Sequence, residues 1–106
     1  MTDRELLEAA AKAAGIELKW HPDEAVAYSD VRDSGYWSVW NPLTDDGDAL
    51  RLAVKLKLTP MMRNLGVDVV SLETTEAAYE RYRDDPYAAT RRAIVRAAAE
   101  IGRSKT

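Results

Sequence analysis

With 106 residues, 46% of them hydrophobic and 31% charged, the chain has the size of one domain, able to bury about two thirds of its unfolded surface, and a net charge of −3 typical of globular proteins. It contains no Cys, which excludes disulfides, thiolate metal sites and cysteine nucleophiles. The polar start and the lack of any apolar run near the roughly 18 residues of a membrane span predict a cytoplasmic protein, one domain over 1–106.

Thr2-Asp3-Arg4-Glu5 fits a capping box, in which the Thr hydroxyl and the Glu carboxylate satisfy first-turn backbone donors reciprocally. The first helix is therefore expected to begin near Asp3. Leu6, Leu7, Ala10, Ala11 and Ala14 repeat at helical spacing, and Gly15 supplies a left-handed stop with Ile16 folding back on the last turn.

Ile16, Leu18 and Trp20 alternate with Glu17, Lys19 and His21, the pattern of a strand with one buried face, which His21-Pro22-Asp23-Glu24 ends. Residues 25–31 alternate loosely, and Asp33-Ser34-Gly35 is a turn signal returning the chain into a strand over 36–40. Asn41-Pro42 closes that strand, because Pro cannot donate to a ladder.

Asp45, Asp46 and Asp48 then stand where a helix exposes unsatisfied N–H groups, so a second helix is predicted from Thr44 or Asp45. Its apolar residues Ala49, Leu50, Leu52, Ala53, Val54 and Leu56 go most of the way round, which predicts a central helix covered by other elements. Leu58-Thr59-Pro60-Met61-Met62 reads as an edge strand or loop, Asn64-Leu65-Gly66 as a turn, and 67–73 as the best strand of the second half. The composition of 74–83 suits a helix, but a return strand over 78–83 would complete a hairpin, and strand is the reading adopted.

Asp84-Asp85-Pro86 starts a third helix, with an Asp cap and Pro at the first position, where its missing N–H is harmless. Tyr87, Thr90, Ile94, Val95, Ala98 and Ile101 form its stripe, Gly102 is expected to end it, and 103–106 to fray. Short turns between strands predict an α+β fold: a mainly antiparallel sheet of about four strands packed between three helices as a three-layer sandwich.

Three stretches carry a resemblance: Leu6-Leu7-Glu8-Ala9-Ala10-Ala11-Lys12-Ala13-Ala14-Gly15-Ile16, Trp40-Asn41-Pro42-Leu43-Thr44-Asp45-Asp46-Gly47-Asp48-Ala49-Leu50-Arg51-Leu52-Ala53, and the helix 85–102 that begins Asp85-Pro86-Tyr87-Ala88-Ala89-Thr90-Arg91-Arg92. Together they resemble the small proteins of tailed bacteriophages and prophages described as the phage ABA-sandwich domain. The resemblance implies a sheet between helical layers and a phage or prophage origin. It implies no catalytic residue and no cofactor.

Candidate sites follow from the residues. Asp45-Asp46-Gly47-Asp48 lacks the alternating acidic spacing and terminal Glu of a calcium loop, and helix-start electrostatics accounts for each Asp, so no metal site is assigned. His21, the sole histidine, follows Trp20 in a turn, and a triad would need Ser29, Ser34, Ser38 or Ser71 beside it with an orienting carboxylate, so no catalytic residue is assigned and no enzyme is expected. Alternation cannot place Tyr36, Trp37 and Trp40 on one face, so at least one points away from the others, and these three are the candidate anchors for a protein partner.

Arg92, Arg96 and Arg103 share a face of the third helix with Glu100 and read first as a solvated face. Arg92 and Arg96 are the alternative contact for a nucleic acid, disfavoured because the protein is acidic overall. Residues 1–53 hold 11 acidic and 5 basic groups and residues 54–106 hold 7 and 10, an asymmetry that two interleaved halves would blend into a mixed surface. The function expected is that of a phage or prophage accessory protein acting without catalysis on a host or phage protein, an inhibitor of host defence being one form of this.

Overall fold

The computed structural model describes residues 1–21, 26–30 and 34–105. Pro22, Asp23 and Glu24 of the first expected strand end, Asp33 of the turn signal, residues 25 and 31 at the limits of the second strand, and Thr106 of the tail lie outside the described residues. The elements in order are α1 (Asp3–Ala14), β1 (Leu18–His21), β2 (Val26–Asp30), β3 (Trp37–Val39), α2 (Asp46–Leu56), β4 (Leu58–Met62), β5 (Gly66–Ser71), β6 (Ala77–Arg81) and α3 (Pro86–Ser104). This is an α+β fold with helices packed against antiparallel sheet. The sheet is divided in two, with strand orders β1-β2-β3 and β4-β5-β6, giving six described strands where about four were expected.

The local signals explain most boundaries. The Glu5 N–H donates to the Thr2 hydroxyl at 3.1 Å and the Thr2 N–H to Glu5 Oε1 at 3.0 Å, the reciprocal capping box. Gly15 closes α1 at φ +70 with open space around its Cα, so conformation and not crowding selects glycine there. In α2, Asp45 is the N-cap, its carboxylate accepting from the Asp48 N–H at 2.8 Å. In α3 the cap is Asp85, which accepts from the N–H groups of Tyr87 and Ala88 at 3.0 and 3.1 Å, with Pro86 directly behind it. The hairpin return strand expected over 78–83 is β6, paired to β5 with Val69 opposite Ala78.

The core lies around α3. One flank of α3 packs along α1, and the other lies on the second sheet, where Val67 and Val69 are fully buried. Ala93, Ala97, Ala98 and Ala99 are buried too, so the axis of α3 comes close to its neighbours.

Three expectations need correction. Gly102 does not end α3: the helix continues to Ser104, and Gly102 is a buried point of approach to α1. The tail at 103–105 is held and not frayed, since Lys12 Nζ donates to the Lys105 carbonyl and Lys105 Nζ to the Ala13 carbonyl, each at 2.9 Å. Helix α2 is not covered all round: Ala49, Leu52 and Ala53 are buried, whereas Leu50 is 64% and Val54 69% exposed. Its excess of apolar residues marks an uncovered stripe.

Candidate functional site

The register of the first sheet decides where the aromatic residues go. Leu18 faces Ser29, Trp20 faces Ala27, and Ser29 faces Ser38, so these residues and Trp40 share the inward side. Trp40 is 6% exposed and belongs to the core, its N–H donating to the Ala27 carbonyl at 2.9 Å. One of the three candidate anchors is therefore a packing residue. Trp37 lies on the opposite side with Tyr28 and Val39, the Lys19 ammonium 4.2 Å from its ring centroid. Tyr36 directly precedes β3 and is 70% exposed, its N–H held by the Ser34 hydroxyl at 3.2 Å, and Val39 is 54% exposed.

Tyr36 and Trp37 thus remain at the surface, joined by Tyr28 and Val39, which sequence reasoning passed over. The signal for them was present, because Tyr28 is directly opposite Val39 in the ladder, but it needs the register of residues separated by a turn.

On the inward side the sheet does not close on α2. A cleft of about 730 Å³ lies between them, floored by Leu52, Trp40 and Ile16. Ser29 and Ser38 line the strand wall, and Arg51 and Lys55 line the helix wall. The acidic groups here are mostly engaged. Asp48 accepts from the Asn41 N–H at 2.9 Å and from Arg51 at 2.7 Å, and Asp30 accepts from the Gly35 N–H at 2.9 Å. Among the described residues neither Lys55 nor Glu17, which also lines the cleft, makes an ion pair.

The acidic start of α2 is used up in structure: Asp45 caps, Asp46 pairs with Arg91 at 2.7 Å, and Asp48 bridges Asn41 to Arg51. His21 is on the outward side of the first sheet, across the ladder from Val26, whereas Ser29 and Ser38 are on the inward side, so the register separates this histidine from both serines.

The arginines of α3 are interleaved with carboxylates. Arg92 reaches Asp3 at 3.2 Å, Arg96 pairs with Glu80 and donates to the Tyr79 carbonyl at 2.9 Å, and Arg103 reaches Glu100 at 3.0 Å. Arg91 pairs with Asp46 and also donates to the Leu43 carbonyl at 2.9 Å, tying α3 to the turn before α2.

Among the described residues two carboxyl groups have a lowered pKa. The Thr2 backbone N–H, then its hydroxyl, hold the Glu5 carboxyl below its ordinary value, and the hydroxyls of Thr74 and then Ser104 do the same for Glu76. Both groups are structural, one at a helix cap and one between the β5–β6 turn and the end of α3.

Compared with protein-family models, curated proteins and solved structures, the chain matches none of them. No helix among the described residues is long and apolar enough to cross a membrane.

Proposed function

We propose that the chain is a non-enzymatic protein-binding module of a tailed phage or prophage, acting in the host cytoplasm on a host or phage protein. Inhibition of a host-defence protein is one form of this activity. One observation carries the binding reading: Trp37 stands with Tyr28 and Val39 on the outward side of the first sheet, where Val39 is 54% exposed, and Tyr36, directly before the strand, is 70% exposed. Aromatic residues on a rigid strand supply large contact area with little side-chain entropy to lose, which suits them to anchor a partner. The phage origin rests on the resemblance of stretches 6–16, 40–53 and 85–102.

Nucleic-acid binding through Arg92 and Arg96 has less support, because each guanidinium already meets a carboxylate of its own chain. The test is capture of a partner from host lysate by the intact chain. Tyr36→Ala with Trp37→Ala should weaken the complex by about 2 kcal/mol or more, while Arg92→Glu with Arg96→Glu and moderate salt leave it in place. Binding to DNA or RNA that the arginine variant loses would overturn the reading.

A further inference from the structure

Each strand directs its backbone groups alternately to either side, so the register tells which residues of an outer strand offer free N–H and C=O groups. The two sheets have four such edges among the described residues: β1, β3, β4 and β6. Two are obstructed, and a third is flanked by side chains of α1. In β4, the bond from the Leu72 N–H to the Lys57 carbonyl sets the alternation that turns Pro60 outward, and Pro60 has no N–H to offer. In β6, the outward carbonyl of Tyr79 already accepts from Arg96. Beside β1 stand Arg4, Glu8 and Lys12 of α1, with the Arg4 guanidinium 4.4 Å from the Trp20 ring centroid.

The edge of β3 has no such guard. The bond from the Trp40 N–H to the Ala27 carbonyl turns Ser38 and Trp40 toward β2, which leaves the N–H and C=O groups of Trp37 and Val39 pointing outward. Among the described residues nothing hydrogen-bonds to them. One side of this edge borders the cleft, where Lys55 of the helix wall makes no ion pair among the described residues, Asp48 is taken by Arg51 and Asp30 by the Gly35 N–H, and Glu17 is the remaining carboxylate; the other side carries the Trp37 and Val39 side chains.

We propose that the β3 edge receives an extended segment of the partner protein as an added strand, whose side chains alternate between apolar residues lying on Trp37 and Val39 and acidic residues entering the cleft toward Lys55. This rests on the protein-binding reading and specifies it. Backbone pairing along Trp37 and Val39 would supply affinity, and the two differently lined sides would supply specificity. A second copy of this chain fits less well, because its own β3 offers Ser38 at the inward position and no carboxylate for Lys55.

A display library of random linear dodecapeptides selected on the immobilised intact chain tests this. Sequences alternating apolar and acidic residues should be enriched, and a selected peptide should slow amide exchange at Trp37 and Val39. Lys55→Glu, on an exposed helix position, should weaken that peptide about tenfold and favour basic residues at the same places. Val39→Pro, which removes an outward N–H, should abolish binding.

No enrichment, enrichment with helical spacing, unchanged selection on Lys55→Glu, or a dimer formed through β3 would each overturn the proposal. The lysate experiment separates the two readings. Capture that needs Tyr36 and Trp37 but tolerates Val39→Pro and Lys55→Glu would leave the module standing and remove the added strand.

Discussion

The backbone of Ala9 lies so near Gly102 that a Cβ on Gly102 would stand 1.9 Å from the Ala9 carbonyl oxygen. The obstacle is main chain and cannot rotate away, so α1 and α3 must separate to admit a methyl group. Helix propensity alone would favour Gly102→Ala by about 1 kcal/mol, yet the forced separation should leave a net loss of about 2 kcal/mol or more. Chemical denaturation measures it, and a variant as stable as the parent would show that the helices do not meet there.

The sequence offers an Asp84 or Asp85 cap for α3, and the hydrogen bonds from Tyr87 and Ala88 go to Asp85. Asp85→Ala should lower stability by about 1 kcal/mol, and Asp84→Ala should change it by less than about 0.5 kcal/mol. Equal effects in a denaturant series would contradict this assignment.

Helix α2 separates its apolar residues sharply. Leu52 is fully buried, so Leu52→Ala should cost about 2 to 5 kcal/mol. Leu50→Ser and Val54→Ser, at exposed positions, should stay within about 1 kcal/mol of the parent, the residue of that range being helix propensity. Thermal unfolding of the three variants orders them, and a large loss at Leu50 or Val54 would mean that the stripe is covered.

Glu5 and Glu76 have folded pKa values below the ordinary 4.5, so the folded state holds their protons less tightly than the unfolded chain does. Their contribution is fully present above the unfolded value and is lost as pH falls through the lower folded values. Stability should therefore decline on acidification below pH 4.5, and less so in Glu5→Gln with Glu76→Gln. Carboxyl NMR titration of both side chains checks the direction, and an upward shift at either would refute it.

The chain's local chemistry announced its helices and turns. Thr2 with Glu5, Gly15, Asp45 and Asp85 with Pro86 all act within a few residues of themselves, so their roles were legible before any tertiary contact was known. Pro60 likewise limited its segment to an edge strand or a loop, since a missing N–H is a property of the residue alone, and the pairing with β5 decided for the strand. Composition over 74–83 pointed to helix, but the pairing of β6 with Val67 and Val69 overrode propensity.

What tertiary structure alone decided is which face of each element meets another. Sequence alternation established that Trp37 and Trp40 point to opposite sides, as an odd spacing on a strand requires, but not which of them enters the core. Leu50 and Leu52 are chemically identical, and only the placement of α2 beside α3 buries one and leaves the other in water. Gly102 looked like a helix stop because glycine serves both to end helices and to let backbones touch. The approach of Ala9, 93 positions away, selects the second role, and no local signal encodes a contact at that separation.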